Sequence, residues 1–179
     1  MEFQELLMKR RSMRFYDETK EVTKEQLEEM IKAAAQAPSW KNTQTARYHC
    51  IINKELLEKF RAECLPEFNQ KNSKGATLVV ATFVKDHSGF NTEVGKPSNE
   101  CGNGWGYYDL GLHNELFLLK AKELGLDTLI MGIRDADKIR KMLNIPEEEI
   151  IVSVIAVGYA AKEPGKPTKK TVEELAKFY

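Results

Sequence analysis

The chain has 179 residues, 42% of them hydrophobic and 30% charged, with 27 Lys+Arg set against 27 Asp+Glu. This length and composition fit one soluble globular domain, 1–179, with enough apolar residues for a core. The zero balance and a pI near 6.8 give nucleic acid no global electrostatic help, and apolar runs such as "ATLVVATFV" are too short to span a bilayer.

The first eleven residues, "MEFQELLMKRR", place cations after apolar residues, the reverse of a secretory signal. Cys50, Cys64 and Cys101 are widely spaced and form no CxxC, which points to a reduced, cytoplasmic protein. His49, His87 and His113 form no ligand pair at helical spacing, so no metal site is expected. The glycines of "CGNGWGYYDLG" match neither GxGxxG nor GxxxxGK[ST] and read as a flexible loop.

In chain order, 2–10 reads as a short amphipathic helix with Phe3, Leu6 and Leu7 on its apolar face. "SMRFYD" is extended. Thr23 to Gln26 form a capping box, and Leu27, Met30, Ile31 and Ala34 carry a helix to about Ala37, stopped by Pro38. A strand at 47–53 leads through the cap residue Asn53 to a helix at 54–65 facing inward with Leu56, Leu57 and Phe60. "PEFNQKNSKG" reads as a polar connection, 76–84 as a buried strand, and 85–106 as a long loop. The longest helix is predicted over 107–124, burying Leu112, Leu116, Leu119 and Leu124 and ended by Gly125. A strand at 127–133, a helix at 135–143, a strand at 150–160 and a Pro/Gly-led tail complete an α+β domain with a central, mixed sheet between helices.

Three polar stretches stand out against this frame: "KRRSMRFY" (9–16), "APSWKNTQ" (37–44) and "GKPTKK" (165–170). Lys9 and Arg10 also suit the last turn of a helix. Arg10, Arg11 and Arg14 offer planar donor forks suited to phosphate, and Ser12 adds a hydroxyl. Asn42 and Gln44 carry amides that donate and accept, as the edge of a heterocycle requires, and Gly132 admits close backbone approach. Together these residues fit a phosphorylated heterocyclic cofactor better than free phosphate.

Over nearly its full length the chain resembles the FMN-dependent nitroreductase family. The resemblance rests on "RRSMRFY", on "APSWKNTQTA", on Gly125, Leu126, Thr128 and Gly132 of "GLDTLIMG", and on "VGYAAKEPGKPTKKTVEEL". It implies that Arg10, Arg11, Ser12 and Arg14 hold the FMN phosphate and ribityl chain, with Lys169 assisting and Lys166 a further candidate. Pro38, Ser39, Asn42 and Gln44 would reach the flavin ring from the partner subunit of a homodimer whose C-terminal tails are exchanged. Ile130, Met131 and Gly132 would lie by the flavin N5 edge, Asn69 near the pyrimidine edge, and either Lys71 or Lys74 beside it. Trp40 and Trp105 either line the substrate face of the ring or pack in a core or interface.

The implied activity is hydride transfer from NAD(P)H through flavin N5 to a nitroaromatic, quinone or similar acceptor, with no side chain needed as catalytic acid or base. Gln44 is followed by Thr45-Ala46 where the family has Pro-Trp, which alters the pocket wall. A non-enzymatic flavin-storage protein, or a specialised dehalogenase, azoline oxidase or flavin-degrading enzyme on the same fold, are the alternative readings. A nucleic-acid or phosphoprotein binder using the basic stretch is the third.

Overall fold

The computed structural model describes residues 2–179. Helix α1 (Phe3–Lys9) leads into the extended basic stretch, and α2 (Lys24–Ala34) begins at the expected box, Thr23 and Gln26 exchanging both capping hydrogen bonds. A 3-10 turn at Trp40–Asn42 precedes strand β1 (Ala46–Ile51). Asn53 caps α3 (Lys54–Cys64) by accepting from the Leu56 amide. Then follow α4 (Glu67–Asn72), β2 (Thr77–Val84), the short strands β3 (Phe90–Asn91) and β4 (Lys96–Pro97), and α5 (Gly104–Glu123). The chain closes with β5 (Asp127–Met131), α6 (Ala136–Leu143), β6 (Glu149–Gly158) and α7 (Val172–Leu175).

The main sheet has the order β1-β2-β6-β5. Alternate residues of its central strands feed two separate cores. Leu78, Val80, Val154 and Ala156 pack with Phe60 and Ile139 against α3 and α6. Val79, Ala81, Phe83, Ile155 and Val157 pack with Leu27, Met30, Leu110 and Phe117 against α2 and α5. Burial on both faces accounts for the unbroken apolar runs of β2 and β6.

Four expectations need correction. "PEFNQKNSKG" is not a plain connection, since α4 occupies Glu67–Asn72 within it. The named strands of the main sheet pair antiparallel throughout, and the parallel component is reduced to one isolated bridge, Ser12 to Thr128. A continuous apolar strand reports two-sided burial and says nothing of direction. The buried residues of α5 are Gly106, Asp109, Leu110, His113, Asn114, Phe117, Leu118, Leu119 and Ala121; Leu112, Leu116 and Leu124 are only half-buried. The helix is apolar around much of its circumference, so leucine spacing alone gave the wrong phase. The segment 85–106 is not a bare loop, since it carries the β3–β4 hairpin and the first turn of α5.

The basic stretch is sewn to the sheet edge through its backbone. The Met13 amide donates to the Thr128 carbonyl (2.9 Å), Asp17 N–H to Tyr159 (2.9 Å) and Ala161 N–H to Phe15 (2.9 Å). Met13 and Tyr16 turn into the core while Ser12, Arg14 and Phe15 face outward. One extended segment therefore anchors through Met13 and Tyr16 and presents Ser12, Arg14 and Phe15.

Candidate functional site

The outward side chains of this segment face the start of the tail across a cleft of about 630 Å³. Its walls carry Arg10, Arg11, Arg14, Lys162, Lys166 and Lys169 against a single carboxylate, Glu163. In a chain of zero formal charge, six cations against one anion is a strong local excess. Arg10 is partly countered by Glu115 of α5, with Nε 3.8 Å from the carboxylate, and Arg11 donates to the Arg10 carbonyl. Arg14, Lys166 and Lys169 make no side-chain hydrogen bond or ion pair among the described residues, so their donors remain available. Ser12 adds its hydroxyl, and Lys162 lies over the Phe15 ring, 4.8 Å from its centre, tying tail to stretch. Lys162 was not among the residues expected from sequence, although "KEPGKPTKK" opens with it.

The donor set suits a phosphate monoester: convergent guanidinium and ammonium groups, one hydroxyl, and no competing acid on most of them. Beside it runs β5, which Ser12 meets at Thr128. At the far end of that strand Ile130 is exposed and Met131 is buried, and a Cβ placed on Gly132 would meet nothing within 4 Å. Thr128 and Gly132 are separated by about 13 Å of extended chain, at about 3.3 Å per residue. There is thus a cationic cleft at one end of the strand and open space above backbone at the other.

The 39–44 loop does not line the cleft of its own chain. Lys41, Asn42 and Gln44 have φ of 46°, 57° and 49°, the left-handed region that side chains with a Cβ rarely adopt. Ser39 Oγ accepts from the Gln44 amide (3.0 Å), and the Asn42 amide donates to the Ser39 carbonyl (3.0 Å). Pro38, Asn42 and Gln44 are exposed, and the side-chain amides of Asn42 and Gln44 have no hydrogen bond among the described residues.

Asn69 is buried and its amide donates to the Ile133 carbonyl (2.9 Å), joining α4 to the loop after β5. That donor is committed within the chain. Lys71 pairs with Glu67 (2.6 Å) and Lys74 with Glu18 (3.1 Å), and neither lines the cleft. Trp40 and Trp105 also lie apart from it. They pack on each other with ring centres 4.8 Å apart, and Tyr108 meets Trp105 at 5.6 Å. Trp105 Nε1 donates to Asn99 (3.0 Å), whereas the enclosed Trp40 Nε1 has no partner among the described residues.

The three histidines have local partners. His49 lies 2.7 Å from Glu149, which also accepts from Thr82; the Nδ1 groups of His87 and His113 donate to the carbonyls of Lys85 and Asp109.

Comparison with known proteins gives consistent answers. A Bacillus subtilis protein provisionally named NAD(P)H nitroreductase MhqN is 25% identical, covering 99% of this chain and 98% of that protein. A Methanothermobacter thermautotrophicus protein provisionally named NADH dehydrogenase/NAD(P)H nitroreductase is 30% identical over 92% of this chain and 81% of its own length. The crystal structure of a provisionally named nitroreductase from Exiguobacterium sibiricum, in complex with FMN, superposes with a TM-score of 0.79, covering 100% and 98% of the two chains; at 20% identity this likeness concerns the fold. The model of the nitroreductase family matches residues 7–159, most of the chain. With its basic stretch, its glycine strand end and its sheet all inside that match, this chain belongs to the nitroreductase family.

Proposed function

We propose that this chain binds FMN with the phosphate in the cationic cleft and the flavin ring over the end of β5, and acts as a homodimer that oxidises NAD(P)H. The observation that carries the reading is the cleft itself, six cations to one carboxylate, assembled from the two ends of a neutral chain. Membership in the nitroreductase family and the names of the relatives make the chain an oxidoreductase.

Bound FMN supplies two-electron hydride relay chemistry between NAD(P)H and a nitroaromatic, quinone or similar conjugated acceptor. The protein's part is to bind and orient. Arg10, Arg11 and Arg14, with Lys166 and Lys169, offset the phosphate charge, and Ser12 donates to a phosphate oxygen. Ile130, Met131 and Gly132 offer a flat backbone floor. Asn42 and Gln44, free on their own chain, reach the ring of the partner's site, with Pro38 and Ser39 shaping that wall. No side chain is required to carry a proton between bound reactants.

The deciding experiment is a titration of FMN and riboflavin against wild type and Arg14→Ala. A charge-assisted contact is worth roughly 1.5–3 kcal/mol, so FMN should bind the variant about ten- to hundredfold more weakly. Riboflavin, which has no phosphate, should bind both proteins alike. An FMN preference that survives the loss of Arg14 and of Arg10 would place the phosphate elsewhere. Anaerobic NADH added to the FMN-loaded protein should bleach the flavin band, and a nitroaromatic or quinone should restore it.

A further inference from the structure

We infer that Asp109 is a positioning residue: it locks the 39–44 loop in its left-handed conformation and so governs flavin-ring binding through Asn42 and Gln44. The inference rests on the proposed contact of that loop with the ring, and it deepens that reading by naming what holds the loop.

Asp109 lies on α5 and is only 3% exposed. One of its oxygens, Oδ2, accepts from both the Trp40 amide (3.0 Å) and the Ser88 hydroxyl (2.6 Å). Ser88, 2% exposed, in turn lies 2.9 Å from the Thr43 hydroxyl and 3.3 Å from that of Thr45. The loop is thus gripped at 40, 43 and 45, on both sides of Asn42 and Gln44, from one buried carboxylate. No cation pairs with Asp109 among the described residues, so these neutral donors are what compensates its burial.

The grip has something to oppose. Left-handed backbone at Lys41, Asn42 and Gln44 is unfavourable for residues bearing a Cβ, least so for Asn. Released, the loop would relax toward ordinary φ values and swing both amides away. Clamped, it holds their backbone while their side chains stay exposed and unpaired, the arrangement a preformed recognition edge needs.

Two measurements on the full chain test this. In flavin-free protein, Asp109→Ala should speed hydrogen exchange of the Trp40 amide about tenfold or more, the effect of losing one charge-assisted hydrogen bond. Asp109→Asn should restore most of the protection, because its carbonyl oxygen, set where Oδ2 stands, can still accept from both the Trp40 amide and the Ser88 hydroxyl. In flavin titrations, Asp109→Ala should weaken FMN and riboflavin by the same factor, unlike Arg14→Ala. Added to Asn42→Ala/Gln44→Ala it should cost nothing further, since residues acting as one unit are non-additive.

Unchanged exchange at Trp40, or a loss that simply adds to that of the loop variant as a general loss of stability would, overturns the inference. If Asp109→Ala does not fold, Ser88→Ala opens the clamp at Thr43 and Thr45 while leaving the Trp40 hydrogen bond in place. It should weaken FMN and riboflavin by the same factor and cost nothing further in Asn42→Ala/Gln44→Ala, and normal binding of both flavins would overturn the inference. A wild-type chain that binds neither flavin overturns the cofactor reading, and this inference with it. Wild-type binding with an intact FMN preference and no response to Asp109→Ala overturns this inference alone.

Discussion

At the scale of single residues, what matters is which groups the fold has committed and which it has left open. Two glycines make the contrast. A Cβ on Gly106 would sit 2.2 Å from the ring of Phe83, a fully buried side chain, so helix and strand meet there only because the side chain is missing. Gly132 has open space and a φ outside the left-handed region. Gly106→Ala should therefore destabilise the chain by roughly 1–3 kcal/mol through overpacking. Gly132→Val should leave the melting temperature of flavin-free protein nearly unchanged while weakening FMN and riboflavin together. If Gly132→Val binds both flavins normally, the ring lies elsewhere.

The cysteines sort in the same way. Burial pushes the thiols of Cys50 and Cys64 up to about 11, and Cys101 is exposed. A raised thiol pKa means that almost no thiolate exists at pH 8, and thiolate is the reactive form. One equivalent of a maleimide or similar reagent should react quickly with native protein, at Cys101, and the other two thiols only after denaturation. Rapid labelling of all three at pH 8 would contradict the burial of Cys50 and Cys64.

At the scale of elements, the tail and the basic stretch form one cationic cleft from segments far apart in sequence. Neither hydrophobic cluster contains a residue beyond Tyr159, so the core does not depend on the tail. The tail nevertheless supplies Lys162, Lys166 and Lys169, half of the cleft's cations. A chain ending at residue 160 should keep its sheet, by circular dichroism, and lose most of its preference for FMN over riboflavin. The salt dependence of FMN binding should flatten as well, because fewer exposed charges remain to be screened. Retained FMN affinity with unchanged salt dependence would show that 10–14 suffices alone.

At the scale of the whole molecule, apolar side chains are exposed on both the first helix and the tail. Phe3, Leu7 and Met8 stand out from α1, and Val172, Leu175 and Phe178 from the tail, each at least 41% exposed. Contiguous exposed apolar surface marks association sites, and the loop bearing Asn42 and Gln44 is apart from its own chain's cleft. Sedimentation should give a single dimeric species at micromolar concentration, with two FMN per dimer. A monomer carrying a full complement of flavin would contradict both the dimer and the sharing of the loop.

Most of the local structure was legible in the sequence, because caps act over three or four residues. The Thr23–Gln26 box and the Asn53 cap both form as their side chains predict. Helix α4 was not legible, since in "EFNQKN" Asn69 is the one buried residue and six polar-rich positions show no apolar period. Arg10, Arg11, Ser12 and Arg14 could be picked out from residue type, and Lys166 and Lys169 from the family resemblance; all six do share a cleft. Their meeting was decided only in three dimensions, by backbone hydrogen bonds joining Phe15 to Ala161 and Asp17 to Tyr159 across some 140 residues. Strand direction, the phase of α5 and the Asp109 clamp belong to the same class. Each depends on what packs opposite, and a pattern along one chain carries hydrophobic period and capping chemistry but not the identity of the neighbour.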